Sequence, residues 1–328
     1  MNPILQVLGG WQSELAEIRH DLHAYPELGL VEHRTAARIA ALLRGWGLEV
    51  HEGIGGTGVV GVLRSGKPGP SLGLRAEMDA LPISEATGLA YASRHAGAMH
   101  ACGHDGHSTM LLGAARYLAG TRAFEGTLHF IFQPGEEGAG GALAMLDDGL
   151  FERFPCDRIY ALHNRPGLPV GRFAIVPGIA MAAGAFFDIT ITGKGGHGAR
   201  PEAAVDPVLV ACQIATAAQG ILPRAVSATE LAVLTVTTIR AGHAHNIIPE
   251  EAYLGGTVRA LSRSRMKELE TRLRALAEGI AQGFGVGCTL DFRLIFAPLV
   301  NDADATRSLI RAAEELVGAA QVDRDGAP

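Results

Sequence analysis

The run Met99-His-Ala-Cys-Gly-His-Asp-Gly-His107 places three imidazoles and one thiol within nine residues. Thiolate and imidazole are the donors that zinc and its borderline neighbours select, and carboxylates extend the choice to manganese. Cys102 and His104, two positions apart, cannot complete a tetrahedral site, so further donors must come from elsewhere in the chain. Asp79, the adjacent Glu136 and Glu137, and His163 are the candidates. Alone, each has an ordinary reading: a strand-end histidine that is structural, an aspartate beside Pro82 that shapes a turn, two glutamates on a solvated loop. Neighbouring residues on an extended segment point in different directions, so one glutamate can hold metal while the other faces a water. Bound metal lowers the pKa of water from about 15.7 to roughly 7, and a nearby carboxylate can take that proton and pass it to a leaving amine. The expected division of labour is Glu136 as general base then acid, with Cys102, His104, Glu137 and His163 as ligands.

Such a set works only if the fold gathers it. In the first half of the chain helix-like and strand-like segments alternate, the pattern of an α/β sheet with crossover helices. Amphipathic helices are expected over 3–24 and 32–46, short apolar strands over 58–63, 71–76, 127–132 and 158–162, and further helices over 105–118 and 141–148. Continuous apolar strands of this length read as fully buried. In open α/β sheets ligands bind just beyond the carboxyl ends of strands. Asp79, Glu136, Glu137 and His163 each follow one of these strands, and Cys102 and His104 enter the helix after the second.

From about residue 180 the order changes. Strands over 186–192, 231–240, 252–260 and 287–294, with helices over 206–222 and 264–284, give β-α-β-β-α-β, the order of a ferredoxin-like unit. The expected organisation is a mixed-sheet α/β catalytic domain from 1–179 and 295–328, with an inserted α+β domain at 180–294. A helix over 304–317 would belong to the returning segment.

Composition excludes several classes. A net charge of −6 supplies no basic stripe for phosphates, so no nucleic-acid partner is expected. No apolar run reaches a membrane span and the first thirty residues lack a leader pattern, which points to a cytoplasmic protein without a membrane partner. The 4 cysteines are far apart and do not read as a disulfide framework. No Gly-x-Ser-x-Gly elbow is present, and Gly193-Lys-Gly-Gly196 lacks the spacing of a phosphate loop. A nucleophilic Cys102 paired with His104 is a weaker reading, since it would leave Glu136, Glu137 and His163 unused.

Eight stretches together resemble the M20 metallopeptidase family, in its branch of hippurate hydrolases, N-acyl-amino-acid amidohydrolases and auxin-conjugate hydrolases. They are residues 19–29 (RHDLHAYPELG), 74–82 (LRAEMDALP), 99–112 (MHACGHDGHSTMLL), 131–138 (IFQPGEEG), 193–201 (GKGGHGARP), 206–207 (DP), 246–249 (NIIP) and 256–259 (GTVR). The resemblance implies a zinc-peptidase-like catalytic domain with two divalent ions, manganese or zinc with cobalt or nickel as alternatives. It also implies a smaller lid domain through which a homodimer forms. Cys102, His104, Glu137 and His163 match the metal ligands, Glu136 the catalytic base and Asp79 the acidic residue supporting the site. His197 matches a residue that reaches the reacting carbonyl, often from the partner subunit, and Asn246 a position near the substrate carboxylate. The implied reaction is hydrolysis of the amide bond of an N-acyl or N-aroyl amino acid.

Two departures stand out. The family pattern Asp-Met-Asp reads Glu77-Met78-Asp79 here, which moves one carboxylate outward by a methylene. Family members also continue with a segment carrying another histidine ligand, and no histidine follows His245. The expectation is therefore a catalytic domain incomplete at its C-terminal side, and the alternative function is a relative that binds metal or a small ligand without turnover.

Overall fold

The computed structural model describes residues 2–227 and 229–324. Pro328, where the sequence reading places the chain end, lies outside them. The chain divides into two compact units, Met1–Val170 and Gly171–Pro328.

The first unit runs α1 (Pro3–Gly10), α2 (Gln12–Ala24), α3 (His33–Gly45), β1 (Glu49–Ile54), β2 (Gly58–Arg64), β3 (Ser71–Glu77), α4 (His104–Thr121), β4 (Thr127–Gln133), α5 (Gly141–Asp147), α6 (Leu150–Arg153) and β5 (Arg158–Ala161). Its five-stranded sheet has the order β1-β2-β4-β3-β5. β3 pairs in parallel with β4 and β5, while β2 pairs antiparallel with β1 and β4, so the sheet is mixed. Strand alternation feeds two cores. Val59, Leu63, Leu128, Phe130 and Phe132 pack with the α2, α3 and α4 side chains, and Val60, Val62 and Ile131 pack with Met145, Leu150 and Phe154. Each fully buried aliphatic or phenyl group contributes about 1.5–3 kcal/mol.

Three expectations need correction. The helix predicted over 3–24 is two, separated at Trp11 just after Gly9-Gly10, where glycine weakens helix continuity. β1 escaped prediction because it is a polar edge strand that buries only Ile54. The strand predicted over 158–162 is not buried: β5 is the opposite margin of the sheet, with Ile159 44% exposed.

The second unit contains β6 (Phe173–Ala174), β7 (Gly178–Met181), β8 (Ala183–Thr192), β9 (Gly196–His197), α7 (Pro207–Ala218), α8 (Ile221–Ala225), β10 (Ala232–Ala241), β11 (Ile247–Ile248), β12 (Glu251–Ala260), α9 (Arg263–Phe284), β13 (Gly287–Phe296), β14 (Leu299–Asn301), α10 (Ala303–Val317) and β15 (Val322–Asp323). The antiparallel sheet β10-β12-β8-β13 has the strand order of a ferredoxin-like unit. Local chemistry sets its helices. Asp206 caps α7 with Pro207 in the first turn, Ser262 caps α9, and Gly285 ends α9 in the left-handed conformation. Met266, Leu269, Leu273, Ala277 and Ala281 form the buried stripe of α9. The helix predicted over 206–222 stops at Ala218 and resumes at Ile221, broken across Gln219 and Gly220 where glycine again weakens continuity. A separate small core of Ile175, Ala313 and Val322 joins α10 to β15. Among the described residues no helix is long and apolar enough to cross a membrane.

Candidate metal centre

β3, β4 and β5 end at the same edge of the sheet and hand over to the segments carrying Asp79, Glu136-Glu137 and His163, while His104 is the first residue of α4. The turn into α4 depends on Gly103, which sits at φ 91, where a side chain is disfavoured. A Cβ there would also lie 2.4 Å from Asn164 Oδ1.

His104 is fully buried and anchored through one nitrogen. Its Nδ1 donates to the Asp79 carbonyl at 2.9 Å and to Asp79 Oδ1 at 3.1 Å, which leaves Nε2 as the lone-pair nitrogen. That atom is buried and has no hydrogen-bond partner. Around it lie Glu136 Oε2 at 4.0 Å and Glu137 Oε1 at 3.9 Å. Ligand atoms of Cys102, His104 and His163 lie within 4.8 Å of one another, as do those of His104, Glu136 and Glu137. Cys102 Sγ is 3.4 Å from His163 Nε2, whose ring is oriented by Nδ1–H donating to the Asn164 carbonyl at 2.7 Å.

A buried imidazole nitrogen left without a partner costs free energy unless something accepts its lone pair. Thiol, imidazole and carboxylate converge on that nitrogen, and each histidine spends its other nitrogen on an orienting hydrogen bond, the arrangement ligating histidines adopt. The donor set therefore fits a divalent cation. Asp79 also ties the loops together, since its Oδ2 accepts the Glu137 N–H at 2.8 Å.

The electrostatics agree with crowded anionic charge. Burial by itself would lower the His104 pKa, but with no cation bound the Asp79 hydrogen bond, the neighbouring Cys102 and the fields of Glu77 and Asp79 raise it to about 11, so the site attracts positive charge at Nε2 and a cation held there would take the place of that proton. Burial raises the Glu136 pKa and the adjacent Glu137 raises it further, against the pull of His104 and Arg75. At Cys102 the hydrogen bond with His104 favours thiolate, yet burial and Glu137 outweigh it and the thiol pKa is raised.

His197 and Asn246 meet each other in the second unit. β9 pairs with β11, His197 opposite Ile247, and the Gly198 N–H donates to the Asn246 carbonyl at 2.8 Å. Both residues are exposed.

Glu32 escaped sequence reading. It is buried, with Oε1 accepting the Gly135 N–H at 2.8 Å and Oε2 accepting the Thr57 hydroxyl at 2.5 Å, and so braces the loop that presents Glu136. Asn164 and His107 were visible only as neighbours of ligand candidates.

A family model described as peptidase family M20/M25/M40 matches residues 73–328. The chain belongs to that family. It is 43% identical over 318 residues to the hippurate hydrolase of Campylobacter jejuni, covering 97% of this chain and 82% of that one. Over 308 residues it is 36% identical to the N-acetylcysteine deacetylase of Bacillus subtilis, with 93% and 80% covered. Among solved structures, a dinuclear metal-binding M20 peptidase of Bacillus subtilis superposes with a TM-score of 0.80 at 33% identity, covering 98% of this chain and 83% of that one. This M20 protein is a metal-dependent amidohydrolase, and its mixed α/β fold is that of its relatives.

Proposed function

We propose that this enzyme hydrolyses the amide bond of N-acyl or N-aroyl amino acids, with Cys102, His104, Glu137 and His163 holding two divalent ions, manganese or zinc. The observation that carries the reading is the buried, unpartnered Nε2 of His104 amid a thiol, a second imidazole and two carboxylates. The named activities of the Campylobacter and Bacillus relatives, on hippurate and on N-acetylcysteine, support the substrate class.

When bound, the ions supply Lewis acidity that eases deprotonation of water and polarises a carbonyl oxygen. Glu136 accepts the proton of the attacking water on its carboxylate and returns it to the amide nitrogen as the C–N bond breaks. A raised pKa suits it to both halves of that transfer. Asp79 keeps the His104 Nδ1–H engaged and so keeps Nε2 available to a ligand.

The finer assignments follow the resemblance. His197 is assigned to reaching the reacting carbonyl, which such a residue often does from the partner subunit, and Asn246 to a position near the substrate carboxylate, in a lid domain at 180–294 inserted between the two parts of the catalytic domain, 1–179 and 295–328. The separate Ile175–Ala313–Val322 core supports treating the segments flanking the ferredoxin-like sheet as distinct from it. Homodimerisation through that lid is supported by exposed Leu231, Val233 and Ile239 on and beside the edge strand β10. A cytoplasmic location fits substrates that are small metabolites.

Hydrolysis of a panel of N-acyl amino acids by metal-replete protein, before and after chelation, tests the proposal. Turnover that stops with chelation and returns with manganese or zinc is expected. Metal-replete protein that leaves the whole panel uncleaved would overturn the substrate assignment, and activity that survives EDTA would overturn the metal mechanism.

A further inference from the structure

His107 lies on α4 three residues beyond His104 and is buried, yet the roles above leave it unused. Its Nδ1 donates to Glu77 Oε2 at 2.9 Å. Asn164 meets its Nε2 in either protonation state: a bare Nε2 accepts the main-chain N–H at 3.1 Å, and a protonated one donates to the side-chain Oδ1 at 2.5 Å. The carbonyl of the same Asn164 accepts the Nδ1–H of His163, and its side chain abuts Gly103, the residue between Cys102 and His104. Asn164 thus touches His163 and the glycine that follows Cys102.

We infer that Glu77, His107 and Asn164 form a positioning relay: Glu77 fixes the ring of His107, His107 fixes Asn164, and Asn164 sets the tautomer and direction of His163 against the Cys102-Gly103-His104 turn. The inference rests on the reading of Cys102 and His163 as ligands. Glu77, His104 and His107 also lie close enough together to be considered as ligands themselves. Hydrogen bonding decides otherwise, because both nitrogens of His107 are engaged and Glu77 is shared between His107 and Arg75. Glutamate in place of the family's aspartate gains a role here. Its longer side chain meets His107 and Arg75 together, and Arg75 is held in turn by Gln133 at 2.6 and 2.9 Å. Partners that orient ligating histidines typically account for 10–100-fold in metal affinity.

The test uses the full chain and two readouts besides turnover: Zn2+ affinity by competition with a chromophoric chelator, and the visible absorption of the Co2+-loaded protein. Asn164→Ala and His107→Gln are compared with wild type and with His163→Ala, and thermal melting of the metal-free proteins verifies folding. Roughly 10–100-fold weaker Zn2+ binding and an altered Co2+ band are expected in both relay variants. Asn164 is exposed, so its variant is expected to melt as wild type does. Glu77→Asp should restore part of what Glu77→Ala loses. Wild-type affinity and Co2+ spectra in the relay variants, with His163→Ala weakened, would overturn the relay alone. Unchanged binding in His163→Ala would overturn the ligand assignment and the relay with it.

Discussion

Around His104 the first unit takes Glu77, Asp79, Asp105 and His107 out of water, whereas the core of the second unit encloses alkyl and phenyl groups from Ala183 to Leu290. Among the described residues the second unit buries one polar side chain, Thr306, and every buried histidine, aspartate and glutamate belongs to the first. An uncompensated buried charge costs several kcal/mol, so such groups persist only where partners answer them. The first unit answers each anion with a named donor: His104 and the Glu137 N–H for Asp79, Arg75 and His107 for Glu77, Arg19 and His23 for Asp105. Function demanded that expense in one unit. The other unit is held by area burial, with its charges left outside.

Substitutions in the two regions should therefore fail in different ways. The largest effect belongs to Glu136→Gln, expected to lower kcat by about 10²–10⁴-fold while the metal content, read by elemental analysis, stays at the wild-type level. Activity within a few-fold of wild type would remove Glu136 from the proton-transfer role. In the second unit, Phe187→Ala should cost about 3–5 kcal/mol in urea unfolding, because a fully buried ring leaves a cavity in an apolar core.

Acid separates the two regions next. Burial alone would raise the Glu77 pKa, but the His107 hydrogen bond and the charges of Arg75 and His104 hold it at about 2, below its ordinary 4.5. A folded-state pKa below the unfolded value adds stability that is present above the unfolded pKa and lost as pH falls through the folded one. Between pH 4.5 and 2 that loss amounts to roughly 3 kcal/mol for one such group. Glu77→Gln should flatten the acid limb of the stability profile over this window, and an unaltered limb would show that the group is not held ionised. At the small end, Arg272→Ala on α9 breaks an exposed pair with Glu268 at 2.9 Å and should change stability by less than about 0.5 kcal/mol.

Legibility in sequence followed the same division. The apolar stripe of α9, the Asp206-Pro207 start of α7 and the β-α-β-β-α-β order are local or periodic signals, and the second unit's sheet matched them. In the first unit the strands that precede Asp79, Glu136 and His163 were legible from their apolar runs. The edge strand β1 was not, because exposure at a sheet margin removes the hydrophobic signal that marks a strand. Nor was the exposure of β5, since a strand's place at the margin is decided by which other strands pair beside it. His107 stood in a motif already chosen for other residues, and nothing in its neighbours distinguished an orienting ring from a ligand.

Composition and spacing by themselves determined the kind of chemistry: a thiol, imidazoles and paired carboxylates placed just after strands, in a chain of net charge −6. Tertiary structure alone decided which atom of each group is free. Asp79 takes the Nδ1–H of His104 from 25 residues away, and Glu32 braces the glutamate loop from 103 residues away. Such partners are selected by packing across the sheet, and a hydrogen bond between distant segments leaves no periodicity in either one from which it could be read.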